Sequence, residues 1–150
     1  MDSFSDIVDT IKEYLSESDE FKDVIFLISS PALKVPNPMD KIHVSLGIKK
    51  IEISQGAFSG YLGLLEENEL YGDLNDIDVS MKIYVPMNMD GENCYDIFSK
   101  TYGVLLEKDN TFNIQSIKCE KIEFDNKFSA YTMECEIKIS MLIGHDGMEF

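Results

Sequence analysis

The sequence predicts one α+β domain spanning residues 1–150, a mostly antiparallel sheet with an N-terminal helix and a second helix packed on one face. Three observations predict it. Apolar residues recur at helical spacing in two separated segments, while other segments alternate with a period of two. The strand-like segments near the C-terminus are joined by a short turn instead of a helix-length crossover. No internal repeat, Pro/Gly linker or low-complexity stretch divides the chain. At 150 residues with 44% hydrophobic and 27% charged content, it has the size and balance of one globular domain with a sizeable core.

The first helix is read from Phe4, Ile7, Val8, Ile11, Tyr14 and Leu15, with Ser3 as N-cap and Asp6 in the first turn; Ser16 to Glu20 is a polar stop. Asp23 to Ser29 reads as a short buried strand, followed by an extended loop imposed by Pro31, Pro36 and Pro38. From Ile42 to Ile53 the residues alternate, but Ile42, Val44, Leu46 and Ile48 share one parity while Ile51 and Ile53 take the other. That switch predicts a bulge near Lys49. Asp76 to Pro86 alternates through Ile77, Val79, Met81, Ile83 and Val85 and predicts a strand with one wet face.

The second helix follows Asp90-Gly91, with Asp90 as N-cap. Cys94, Ile97, Phe98, Thr101 and Leu105 form its apolar stripe, widened by Tyr102 and Leu106. Ile114 to Phe124 and Phe128 to Ile143 make a long hairpin around the turn Asp125-Asn126-Lys127.

Charge excludes one class of function. The chain has 28 acids against 13 bases, a formal net charge of −15, and every base is a lysine. Phosphate-backbone binding needs a positive surface, and base readout leans on the arginine fork, so no nucleic-acid partner is expected. The 28 acids divide equally about Asn75, so the charge belongs to the whole domain. No apolar run approaches the ~20 residues of a membrane span, and the acidic N-terminus has no basic n-region, so the reading is neither membrane protein nor secreted one. Cys94, Cys119 and Cys135 form no C-x-x-C pair and read as reduced, buried thiols.

Catalytic patterns find no match. His43 and His145 are the two histidines, and His43, out of phase with Ile42 and Val44, is expected on the wet face. No nucleophile elbow or zinc pattern accompanies them. Gly56, Gly60 and Gly63 fit neither phosphate-loop spacing. Asp76, Asp78 and Ser80 match early positions of a calcium loop, but Met81 and Met87 stand where its glycine and bidentate glutamate belong. No catalytic residue, cofactor or metal is expected.

Gly56 to Asp73 is too apolar for a solvated loop of that length. Phe58, Tyr61, Leu64, Leu65, Leu70 and Tyr71 lie there among glycines and acids. One reading makes them a subunit interface on a long loop. The other makes them a short strand or helical turn capping the core.

The order of elements, through "VSLGIKKIEIS", "DVSMKIYVPMNMDGENCYDIFSKTYGVLLE" and "IQSIKCEKIEFDNKFSAYTMECEIKIS", resembles the tail terminator (tail-completion) proteins of phages and of phage-derived contractile bacteriocins. A strand ending in "IYVP", the short link "MDGENC" and a following helix are similar to that plan. The resemblance covers nearly the whole chain and rests on element order. It implies a structural subunit, made in the bacterial cytoplasm, that forms a homo-oligomeric ring, typically a hexamer. Such a ring caps the tail tube protein, stops tube growth and meets neck or head proteins, with sheath protein as a further neighbour. The family supplies no catalytic residue. The competing expectation is an acidic binding module, of DNA-mimic type, that blocks a basic partner.

Overall fold

A computed structural model describes the backbone of residues 4–28, 40–55, 61–65, 68–107 and 113–144, and the side chains of residues 6–28, 40–53, 75–107 and 113–141. The fold is α+β: two helices and a mixed sheet. Helix α1 runs Phe4–Glu17 and buries Ile7, Val8, Ile11 and Leu15. Burying an aliphatic side chain of this kind is worth ~1.5–3 kcal/mol, which is what docks the helix. The polar stop holds one 3-10 turn, Asp19–Phe21, in which the Ser18 hydroxyl accepts the Glu20 amide at 3.3 Å. That turn aims Phe21 inward, edge-on to Phe26 at 5.5 Å.

The strands are β1 Val24–Ile28, β2 Ile42–Gln55, β3 Tyr61–Leu65, β4 Asn68–Pro86, β5 Asn113–Cys119, β6 Glu123–Asp125 and β7 Ala130–Gly144. Their order is β1-β2-β4-β7-β5, with β3 on β4 and β6 on β7. Every described pairing is antiparallel except β1 with β2. Because β1 is an edge strand, it is not the buried strand the sequence suggests: Phe26 is buried, but Ile25 and Ile28 are 38% and 40% exposed.

The bulge falls where the parity switch places it. Ile48 pairs with Val79 and Lys50 with Asp78, leaving Lys49 as the extra residue. The bulge returns Ile51 to the face of its partner Ile77. Strand β4 reaches back beyond Asp76 to Asn68, so the segment read as a loop is a hairpin of β3 and β4, a strand reading as the second alternative had it. Tyr61 stands opposite Tyr71, Gly63 opposite Leu70, Leu64 opposite Glu69 and Leu65 opposite Asn68.

Helix α2 runs Asn93–Glu107. Asp90 caps it: its carboxylate accepts the Glu92 amide at 3.0 Å, and its carbonyl accepts the Asn93 amide at 3.1 Å. The helix buries Cys94, Ile97, Thr101, Val104 and Leu105. The expected stripe is narrower than the sequence suggests. Tyr102 and Leu106 point outward and Val104 takes the inner position. Thr101, fully buried, returns its hydroxyl to the Ile97 carbonyl at 2.8 Å.

Both helices lie against the face that carries Val44, Leu46, Ile77, Val79, Met81, Ile83, Met133, Cys135, Ile137 and Ile139, the main core. The closing turn is built as expected. Asp125 accepts the amides of Lys127 and Phe128 at 2.8 and 3.3 Å, and Ser129 takes a φ of 50° to re-enter β7. The predicted first arm is split, however, into β5 and β6. Ser3, the Pro31–Pro38 loop, Gly56, Phe58, Gly60 and His145 lie outside the described residues.

Candidate assembly surfaces

The sheet face opposite the helices is polar for most of its length. Strand period two sends Ser80, Lys82, Asp78 and Asp76 of β4 and Glu134, Glu136, Lys138 and Ser140 of β7 to this side, in register with one another. The register matches opposite charges: Lys82 with Glu134, Asp78 with Lys138 and Lys118 with Glu136. Glu136 is the hub. Its carboxylate takes Lys49 at 3.5 Å and Lys118 at 3.6 Å, with only 14% of its side chain exposed. Burial pushes this carboxyl up, but the two ammonium groups and the nearby Lys138 outweigh it and hold it below the usual value. Lys49 reaches Glu136 from the bulge, across β4. A shallow depression of about 260 Å³ lies here, lined by Lys49, Lys82, Lys118, Glu120, Glu134 and Glu136.

At the β6 end the same face turns apolar. Tyr84 and Ala130 are buried with Phe128 packed on them, and the Tyr84 ring meets Phe128 at 5.5 Å. Burial raises the Tyr84 hydroxyl above its ordinary value, against a hydrogen bond with Ser45 that lowers it, while the Asp125 and Glu134 charges push it further up.

His43, expected on the wet face, sits beside this cluster and is 3% exposed. It is on the expected side, but that side is dry here because β1 and Tyr84 flank it. Its Nδ1 lies 2.8 Å from the Lys41 carbonyl, so in the Nδ1–H tautomer it donates to the residue just before its own strand. Cys119, expected to be buried, is only partly so because it lies on edge strand β5. Cys94 and Cys135 are buried in the main core, with their thiols pushed up to about 11 and about 12 by burial. Such thiols are held protonated and are poor nucleophiles. Asp76 and Asp78 flank buried Ile77 within a strand, and Asp78 stands in register with Lys50 and Lys138. The geometry is that of a charged ladder, unlike a chelating loop.

On the helix-side face burial runs out along β2. Val44 and Leu46 are fully buried and Ile48 partly, but Ile51 is 37% exposed and Ile53 56%. Beyond Ile48 the strands β2, β4 and β7 continue as a ribbon, flanked by β5 as far as Ser140 and three-stranded past it, to Gln55 opposite Asp73 and Gly72 opposite Gly144. Seven further residues at ~3.3 Å each make this ribbon roughly 20 Å long. The ribbon is close to balanced in charge. Lys49, Lys50 and Lys138 stand against Glu52, Asp73, Asp76 and Asp78, in a molecule of net −15.

The ribbon ends in the β3–β4 hairpin, which gathers Tyr61, Leu64, Leu65, Leu70 and Tyr71 of the expected interface on adjacent backbones. Their side chains, and Phe58 altogether, lie outside the described residues. A second apolar surface went unread in the sequence. Tyr95, Tyr102 and Leu106 of α2 are 47–49% exposed. Their spacing of seven and four residues places them on one outward stripe, a signal present in the sequence, where Tyr102 and Leu106 are assigned to the core and Tyr95 is passed over.

No family model matches the chain, and no curated protein matches it significantly. Among the described residues no helix is long and apolar enough to cross a membrane.

Proposed function

We propose that this chain is a structural subunit that assembles with copies of itself into a closed ring, of the tail-terminator type its element order resembles. In that role it caps a tail tube, ends its growth and offers a surface to neck or collar proteins, acting in the bacterial cytoplasm during assembly and then as part of the particle. The reading assigns the chain no catalytic step. The observation that supports it is the far half of β2, an unpaired edge among the described residues that leaves Ile51 and Ile53 partly in water on a ribbon of nearly balanced charge, three lysines against four acids.

Association must bury apolar surface, and a protein of −15 resists its own copies by repulsion. A nearly charge-balanced stretch with exposed isoleucines is the part of such a molecule that a second copy can approach. Unpaired edges serve the same end, since beyond Leu46 only β4 is paired with β2 among the described residues.

Salt separates this reading from that of an acidic module blocking a basic partner. Screening relieves repulsion between like subunits, so ring formation should strengthen from about 0.02 to 0.5 M salt, whereas attraction to a basic partner weakens over that range. Multi-angle light scattering of the purified chain across concentration and salt, with electron microscopy of the largest species, tests it. A chain that stays monomeric throughout, and forms no ring on tail tubes, overturns the proposal.

A further inference from the structure

We propose that Cys119 and Cys135 form a redox-modification site, a dithiol aligned across the β5–β7 ladder that a low-molecular-weight disulfide converts into an intrachain cystine. Register carries the argument. The two residues are direct partners in an antiparallel pair, so their side chains leave the sheet on the same face. One step along, the Glu120 amide donates to the Glu134 carbonyl at 2.8 Å. Hydrogen-bonded and non-hydrogen-bonded pairs alternate in such a ladder, so Cys119 and Cys135 occupy a non-hydrogen-bonded position. There the Cα atoms stand ~4.5 Å apart and the side chains are closest. That separation lies inside the ~4.4–6.8 Å window that a disulfide bridges without backbone movement.

Accessibility is divided in the way exchange requires. Cys119 is half-buried and reachable from solvent, while Cys135 is 5% exposed. Cys135 and Cys94 belong to one core cluster, and Cys119 packs against it. Cys94, in the first turn of α2, is fully buried and stands as the third thiol of the cluster.

The chemistry balances with a disulfide reagent RSSR. The Cys119 thiol loses its proton to solvent, and its Sγ attacks one reagent sulfur; the S–S bond breaks and RS⁻ leaves to be protonated. The Cys135 thiol then gives up its proton, its Sγ attacks Cys119 Sγ in the mixed disulfide, and the second RS⁻ leaves and is protonated. Two protein thiols and RSSR become one cystine and two RSH, with two electrons passing to the reagent. The second step is slow, because burial holds Cys135 as the thiol. The product ties edge strand β5 to β7 and stiffens an otherwise open edge of the sheet.

The test treats the folded full-length chain with oxidised glutathione at pH 8, then alkylates it in denaturant with N-ethylmaleimide and maps peptides by mass. The expected result is loss of two of the three alkylation sites and one peptide pair linked through Cys119 and Cys135. Cys94→Ser should form the same link, and Cys119→Ser and Cys119→Ala should not. The oxidised chain should melt a few degrees higher, reversed by dithiothreitol. Full alkylation of all three cysteines, where dithiothreitol itself is oxidised under the same conditions, overturns the proposal. So does a dominant link through Cys94 or between chains. The wild-type peptide map decides the question even if a variant does not fold.

Discussion

Glu136 holds the densest charge contact on the outer face, with Lys49 and Lys118 both within 3.6 Å of its carboxylate. Since its folded-state value is lowered from the ordinary 4.5, the contact stabilises the fold fully above about pH 4.5 and is lost as pH falls through that lower value. Glu136→Gln should therefore flatten the acid limb of stability. Urea midpoints from pH 3 to 7 measure it, and parallel curves for the two proteins would show that the carboxylate contributes nothing. Gly91 poses a steric question at the same scale. A Cβ built there would lie 2.9 Å from Cγ of Tyr131, the base of a ring that packs edge-on to Phe124 at 5.4 Å. Gly91→Ala is expected to cost ~1–3 kcal/mol through overpacking. Calorimetry checks it, and a melt unchanged within about a degree would mean the ring yields freely.

Helix α2 offers a controlled comparison, because Leu105 and Leu106 are the same residue type one position apart, at 1% and 47% exposure. Leu105→Ala should lose ~2–5 kcal/mol by leaving a cavity against β4 and β7, whereas Leu106→Ala should leave the melting temperature nearly unchanged. Equal losses in thermal melts would mean the outward stripe is packed after all. The same pair shows what was legible in the sequence. Periodicity located α2, and Cys94, Ile97, Thr101 and Leu105 are where it puts them. It widened the stripe to Tyr102 and Leu106 because a 3.6-residue period cannot tell the core boundary from an exposed neighbour of equal hydropathy. The bulge at Lys49 was legible because one extra residue flips parity, and parity is visible in letters. The burial of His43 was not, because β1 and the Tyr84–Phe128 cluster approach it from elsewhere in the chain. Nor was the β3–β4 hairpin clear. Gly63 and the bulge between Tyr61 and Gly63 broke the alternation that would have marked two strands.

At the scale of the whole molecule, the question is why a chain of net −15 leaves isoleucines exposed on a ribbon whose charges nearly cancel. For a chain that stays alone, Ile51 and Ile53 serve no packing, and their exposure invites misassembly. For a subunit, they are surface held in reserve for the next copy. The two cases separate in the double variant Ile51→Thr, Ile53→Thr. Threonine keeps the β-branched shape that strands favour, so β2 should persist. At 37% and 56% exposure, the isoleucines are only partly buried in the monomer, and the melting temperature should fall by no more than a few degrees. In the assembly each becomes a buried contact, and truncating well-packed interface anchors costs ~2 kcal/mol or more, which raises the dissociation constant roughly 30-fold. Replacing Tyr61 and Leu65 of the hairpin by Ser should weaken assembly in the same direction, because the hairpin prolongs the same ribbon. Light scattering at matched concentrations, read beside thermal melts, distinguishes the outcomes. If both variants assemble as the parent does, the ribbon is not the contact. If the melts fall in step with assembly, these side chains support the subunit's own fold, and the ring must be held by another surface, the Tyr95–Tyr102–Leu106 stripe first among them.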